Sequence, residues 1–589
     1  MSPLDRKDII AQWAFDTRPI LLRFHLWLED VEVERSQPEP VSAHTFAPRG
    51  IARCIAMTSA ATALGTKLFG QFGEGAGKDK FSYNQVKKSA DAISAYSMSE
   101  GLWYLTRSLP ENHAIMVCLG EGLMPKSGET PEMGANPLLG FGRVYARPEV
   151  AQAVDEEIHR LLNDPDHRWN QFYEALRRRG ITVWGAAVDT LENTSRFAEG
   201  QPTGPMTVFH LFDAPLTVTR PYEAYFGCLT VPKRVADTAQ QRSVLLDWVT
   251  PRSTVMDLIL STYTGILPRN VHVWTLAGKS RHERLGSLWE EWRSLGAHLV
   301  DETWTAPTGL QVFTDSGTYA PTFLVRSWQE NGEPHVFLCD GYAATAEAMQ
   351  AASLSEVLDV DASMTVLSPT FTQPIHQEYQ LMNQLATAEN IRNVVHKHLG
   401  GADSPDEVIS LYEDAIREAR EAHIPLGRRS LRASDLMPEK EWSVLACSAY
   451  MCDDPYTGNP GVERLSDDRY RVTTRLDTRR ASSRIRFTFR LKDGLEESRL
   501  VFSPLLVRFM SGIDWRQRPV KISDSGRIRN ELQTLISQAL DYDGPKMTVC
   551  FSRIDEKIVP KDKQAIIRDV LLWYKDQHPV WFNWLDLRE

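Results

Sequence analysis

Long apolar runs are missing from this sequence. No stretch reaches the roughly 18 residues that a membrane-crossing helix requires. The opening MSPLDRKDII holds no basic segment followed by an apolar core. Cysteine is scarce, with seven residues in 589 and no repeated spacing, which argues against a disulfide framework. Cys447 and Cys452 lie closest together, yet no second Cys or His pair accompanies them at zinc spacing. These absences lead us to expect a cytoplasmic protein with no membrane association.

Familiar catalytic signatures are absent too. There is no G-x-S-x-G, no dinucleotide fingerprint and no H-E-x-x-H. The turn at Gly278-Lys279-Ser280 is not a phosphate loop, because that motif needs a glycine where Val273 stands. His396 and His398 are two apart on a helical pattern, so they cannot share a face as paired metal ligands do.

What is present is ordinary globular composition, 42% hydrophobic and 24% charged, at a length that suggests several domains. The most informative stretch runs from Val271 to Val300. VHVWTL has strand length, AGKS is a turn, and Leu285, Leu288, Trp289, Trp292 and Leu295 recur at helical spacing. Gly296 follows as a C-cap and AHLV closes the unit, so the stretch reads as a strand-helix-strand crossover. Free N–H groups and the helix dipole favour an anion at Gly278, Lys279 and Ser280. The plain alternative is a surface turn with solvated basic residues.

Similar runs recur elsewhere: AIMVCL (114–119), ITVWGAAV (181–188), TVFHLF (207–212), LQVFT (310–314), HVFLC (335–339) and MTVLS (364–368). Runs this continuous suit strands covered on both faces, as in a parallel sheet. The expected fold class is therefore α/β, a central largely parallel sheet with crossover helices. The expected organisation is a mainly helical region over 1–110, this α/β domain over 111–375, a helical connector over 376–440 and a basic α+β domain over 441–589.

Polar residues follow these runs, and ligands of open parallel sheets bind beyond the carboxyl ends of strands. Asp189 and Asp340 are thus candidates for acid–base work. Acids in such places are also common turn formers and helix caps. Asp315-Ser316-Gly317 reads as an Asx-type turn, with a divalent cation bound by Asp315 as the alternative. The loop from Gly120 to Arg143 carries six glycines and three prolines, and ordered loops of that length commonly carry function. Within it, Lys126 and Arg143 are candidate anion contacts and Glu129 a candidate acid or base. The Thr194–Pro205 stretch, with Arg196, is a candidate second wall.

The C-terminal part differs in charge. Arg464 to Asn530 has seventeen Lys or Arg against eight Asp or Glu, in a chain of net charge −11. In SSRIRFTFRL, Ile485, Phe487, Phe489 and Leu491 alternate with Arg484, Arg486 and Arg490, so one strand face is apolar and the other basic. That face suits the acidic remainder of the chain, an acidic protein partner or, less well, nucleic acid, since no aromatics share it. Arg527, in the first turn of a capped helix, is a second anion candidate.

The functional expectation is an enzyme acting on a small anionic metabolite, a phosphorylated sugar or a nucleotide, with the reaction type open. A non-catalytic binding or assembly protein, including a homo-oligomer, and a nucleic-acid-associated protein are the alternatives.

Overall fold

The computed structural model describes residues 26–35, 51–119, 139, 144–212 (165 and 168 excepted), 225–366 (249, 278, 308, 310, 311, 315 and 316 excepted), 430–432, 443–451, 461–478, 482–491, 547–550 and 585–588. The strands in chain order are β1 (Leu26–Arg35), β2 (His113–Leu119), β3 (Val144–Tyr145), β4 (Thr182–Glu192), β5 (Met206–Phe212), β6 (Tyr225–Pro232), β7 (Val271–Trp274), β8 (His298–Leu299) and β9 (Arg326–Glu330). They continue with β10 (Glu333–Ala344), β11 (Val360–Val366), β12 (Ser430–Arg432), β13 (Ser443–Ala449), β14 (Val462–Arg464), β15 (Arg469–Thr478), β16 (Ser482–Leu491), β17 (Met547–Cys550) and β18 (Leu585–Arg588). The helices are α1 (Ile51–Phe69), α2 (Lys80–Ser108), α3 (Pro148–Asn163), α4 (Trp169–Arg178), α5 (Thr194–Ala198), α6 (Lys233–Gln241), α7 (Arg252–Thr262), α8 (Lys279–Ser294), α9 (Tyr319–Thr322), α10 (Thr345–Ser353) and α11 (Ser355–Leu358).

Two sheets result. The larger runs β1-β16-β15-β13-β5-β4-β2-β3, with β14 beside β15. The smaller runs β12-β11-β6-β10-β7-β8, with β9 beside β10. Both are mixed and mostly antiparallel; within them only β2–β4, β10–β7 and β7–β8 pair in parallel among the described residues. The expected central, largely parallel sheet is therefore wrong. Every residue of β5 is buried, yet β5 is antiparallel to both of its neighbours. Continuous apolar runs report burial on both faces, and two sheets covered on both sides produce that whatever the strand direction.

The crossover from Val271 to Val300 does form, as β7, α8 and β8, with β7 and β8 parallel. LQVFT is not a strand over its described residues, whereas β1 and β6 arise where no strand was expected. β13, β15 and β16 join the same sheet as β4 and β5.

Helices α1 and α2 cover one face of the larger sheet: Ser59 of α1 meets Ser448 of β13 at 2.9 Å, and Ser94 of α2 meets Thr190 of β4 at 2.7 Å. Helices α7 and α8 cover the outer face of the smaller sheet, placing Val255, Ile259, Leu285 and Trp292 in one core with Leu229, Val231, Val273 and Leu338. Helix α10 touches β4 and β13 of one sheet and β6, β10 and β11 of the other, so it lies between them. Its alanines make this possible, since Ala346, Ala348 and Ala352 are almost wholly buried and let two sheets approach one helix.

Candidate metal centre

The site begins with an irregularity in β4. Asp189 pairs with Val208 of β5, and Glu192 pairs with Met206, so three steps on β4 oppose two on β5. In a regular strand, residues three apart point to opposite faces; the extra residue of this bulge turns both carboxylates to the same side. The bulge is internally satisfied. Leu191 N–H donates to Asp189 Oδ1 at 3.1 Å, and the Thr190 carbonyl accepts from Thr207 Oγ1 at 3.0 Å and Tyr450 Oη at 2.9 Å.

Glu347 comes from the first turn of α10, three residues beyond the end of β10. One oxygen each from Asp189, Glu192 and Glu347 lie within 4.8 Å of one another, with the two strand acids buried and Glu347 half-buried. Gly317 closes the group: its N–H donates to Glu192 Oε1 at 3.3 Å. A Cβ at this position would fall 1.6 Å from Glu347 Oε2, so a glycine is required for the backbone to come this near.

A buried amide is anchored on the same two strands. Gln350 lies one turn after Glu347 and is fully buried; its Nε2 donates to the carbonyls of Ala187 at 3.3 Å and Val208 at 3.4 Å. Two carbonyl partners fix the amide orientation, because only the NH2 end can donate. Gln350 Oε1 then has no hydrogen-bond partner among the described residues, on a side chain anchored beside Asp189 and its cross-strand neighbour Val208. The nearby Cys228 does not join this set. Burial pushes its thiol up to about 12, so it stays protonated next to Thr318.

The donor set is thus three carboxylates, all oxygen. Oxygen-only sets suit hard divalent cations such as Mg2+, Mn2+ and Ca2+ rather than zinc or copper. Packing three acids together in a weakly polarisable interior is unfavourable by mutual repulsion, and a divalent ion reverses the sign of that interaction.

Matched against models of known protein families and against curated sequences, the chain corresponds to none. The reading of the site therefore rests on its geometry.

Of the residues expected from sequence, Asp189 is in this cluster. Asp340 is not. β10 runs on to Ala344, so Asp340 lies inside the strand rather than at its end. Its carboxylate accepts from Arg252 Nε at 2.7 Å, Arg252 Nη2 at 2.6 Å and Trp292 Nε1 at 2.6 Å, on the face covered by α7 and α8. Its neighbours Cys339 and Gly341 point to the other face. Asp189 and Asp340 thus lie on opposite sides of the smaller sheet and share no pocket.

Lys279 and Ser280 open α8, and their side chains, with Gly278 and Asp315, lie outside the described residues. Lys126, Glu129, Arg143 and Arg527 also lie outside them. Ala277 N–H donates to the Thr314 carbonyl at 2.9 Å, and Thr314 is three residues from Gly317. This ties the turn after β7 to the segment that leads to Gly317. Arg281, in the first turn of α8, donates to Tyr342 Oη.

The Thr194–Pro205 stretch folds over the same region. Arg196 Nε donates to the Thr203 carbonyl at 2.8 Å and its guanidinium stacks 4.3 Å from the Phe313 ring. The basic face of β16 meets β1: Arg490 pairs with Glu29 at 2.8 Å and Arg486 with Glu32 at 3.7 Å, while Arg469 of β15 reaches Glu29 at 2.7 Å.

Sequence reasoning missed Glu192, Glu347 and Gln350. Glu192 was hidden by the bulge. A signal existed for the other two: Glu347 and Gln350 stand one turn apart as the long polar side chains of the alanine-rich AATAEAMQAAS.

Proposed function

We propose that this chain is an enzyme that holds a hard divalent cation at Asp189, Glu192 and Glu347 and uses it on a small anionic metabolite of the phosphate-ester class. The observation that carries this reading is the convergence of three carboxylates from two elements, made possible by one strand bulge. Gln350 Oε1, buried one turn along α10 from Glu347 and without a partner among the described residues, would be a neutral fourth ligand if it faces the ion. A bound cation would act as a Lewis acid on a phosphoryl or carboxyl oxygen.

One further feature bears on substrate access. Glu347 and Gly317 are the partly exposed members of the group, so access to the cluster is from their side.

The test is equilibrium dialysis with Mn2+ followed by turnover assays on sugar phosphates and nucleotides with and without Mg2+. The reading predicts one bound ion, lost in Glu347→Gln, and cation-dependent release of phosphate or transfer of the phosphoryl group. Stoichiometric binding without turnover of any ester would make the protein a cation-stabilised binding protein instead. Absence of binding would remove the proposal.

A further inference from the structure

Far from the acid cluster, three histidines form a row across one end of the smaller sheet. His272 of β7 is buried, and His298 of β8 and His335 of β10 are half-buried on either side. His272 Nδ1 lies 2.8 Å from His298 Nδ1, and His272 Nε2 lies 3.0 Å from His335 Nδ1. The rings do not converge on a point as metal ligands do. His272 gives one nitrogen to each neighbour, so the three make a hydrogen-bonded chain. Trp304 stacks on His272 at 5.0 Å, and Trp328 stacks on both His272 and His335 at 5.3 Å.

Counting protons sets the capacity of this chain. Each of the two N···N contacts must hold one proton and no more. With all rings neutral, His272 donates at one nitrogen and accepts at the other, and both contacts are made. One added proton is accommodated. If it arrives on His335 Nε2, no other ring changes. If it arrives on His298 Nδ1, the proton of His272 moves from Nδ1 to Nε2 and that of His335 moves from Nδ1 to Nε2. A second added proton leaves two N–H groups facing each other across one contact, which then opens.

We propose that the His298–His272–His335 row is a proton-counting latch: it stays closed with none or one added proton and releases β8 with the second. Besides this contact, β8 is held by the Val300 N–H bond to the Val273 carbonyl at 3.0 Å and by Leu299 and Val300 packing on the core, so release begins at His298. β8 is a two-residue edge strand, joined to β7 through the His272–His298 and Val273–Leu299 pairs. Its outward segment carries Asp301, whose carboxylate caps Thr303 and sits beside His298. The other charged groups around the row are Glu333 beside His335, Arg269 paired with Glu333 at 3.5 Å, and Glu330 bonded to the Trp328 indole. Burial and the two neighbouring rings hold the His272 pKa down to about 3, which keeps the middle ring neutral. Burial lowers His298 as well.

Hydrogen exchange of the 296–304 segment in the full chain, measured from pH 8 to pH 4.5 and corrected for intrinsic rates, tests this. Once the first proton is bound, opening takes up one net proton, so the opening constant rises about tenfold per pH unit. In His298→Gln the amide can donate to or accept from His272, the chain does not overfill while His272 stays neutral, and the opening constant becomes flat over that range. Glu347→Gln, at the acid cluster, keeps the wild-type slope. Should His298→Gln fail to fold, imidazole 15N shifts of the wild type decide instead. The first added proton must then leave the β7–β8 amide shifts in place and the second must move them. A wild-type segment with no pH dependence, an unchanged slope in His298→Gln, or amide shifts that move with the first proton would each overturn the latch.

Discussion

Arg252 grips Asp340 with two nitrogens, at 2.7 and 2.6 Å, inside the core between β10 and the outer helices. The side chains are 5% and 0% exposed, and Arg252 also donates to the Thr250 carbonyl at 2.8 Å. The pair is a structural clamp on the strand that leads into α10.

Removing one side of such a pair strands a charge in the core, at a cost of about 3–5 kcal/mol. Asp340→Ala therefore unfolds at much lower denaturant concentration than wild type. Its cation stoichiometry, measured under conditions where it remains folded, is unchanged, because Asp340 faces away from Glu347. Equilibrium denaturation and Mn2+ dialysis read the two quantities separately.

The acid cluster gives a prediction with an unusual sign. Without divalent ions, Glu347→Gln removes repulsion among three neighbouring carboxylates and raises stability, by about 1 kcal/mol for close charges of one sign. With Mg2+ present, wild type gains stability and the variant does not. Thermal unfolding with EDTA and with Mg2+ provides all four values. A variant less stable than wild type in EDTA would contradict mutual repulsion as the dominant force.

Gly317→Ala probes the same place by shape. A Cβ at 317 displaces the flexible Glu347 carboxylate rather than backbone, so the fold tolerates it. Cation affinity falls by at least tenfold while the apo unfolding midpoint moves little. Isothermal titration with Mn2+ measures the first and chemical denaturation the second.

Acid pH acts through His272. Its pKa in the folded protein lies near 3, below the ordinary 6.5, so the folded state binds fewer protons than the unfolded chain in that interval. The stability contributed by the neutral ring is complete above pH 6.5 and is lost as pH falls toward 3, at about 1.4 kcal/mol per pH unit. His272→Gln lacks this contribution. The stability difference between wild type and variant should thus narrow steadily as pH is lowered through that window.

Part of this was legible in the residues. The β7–α8–β8 crossover could be read from periodicity, and β16 from the alternation in SSRIRFTFRL, because each is locally determined. The pairing of the sheets could not, since burial on both faces leaves the same apolar runs in parallel and antiparallel strands. The site was half visible. Asp189 follows a strand-like run, but its partnership with Glu192 depends on one extra residue opposite Met206 and Val208, which no spacing rule reports. Asp340 looked equivalent to Asp189 because HVFLC appears to end before it. The strand in fact continues through Gly341, where Trp274 and Leu276 pack against the bare backbone.

The central claim is a divalent cation held by carboxylates that a strand bulge turns to one side. Mn2+ binding to wild type, Asp189→Asn, Glu192→Gln and Glu347→Gln, followed by electron paramagnetic resonance, tests it most directly. The account predicts one tightly bound ion in wild type and a loss of affinity of tenfold or more in every variant. Equal binding in all four proteins, or none in wild type, would contradict it.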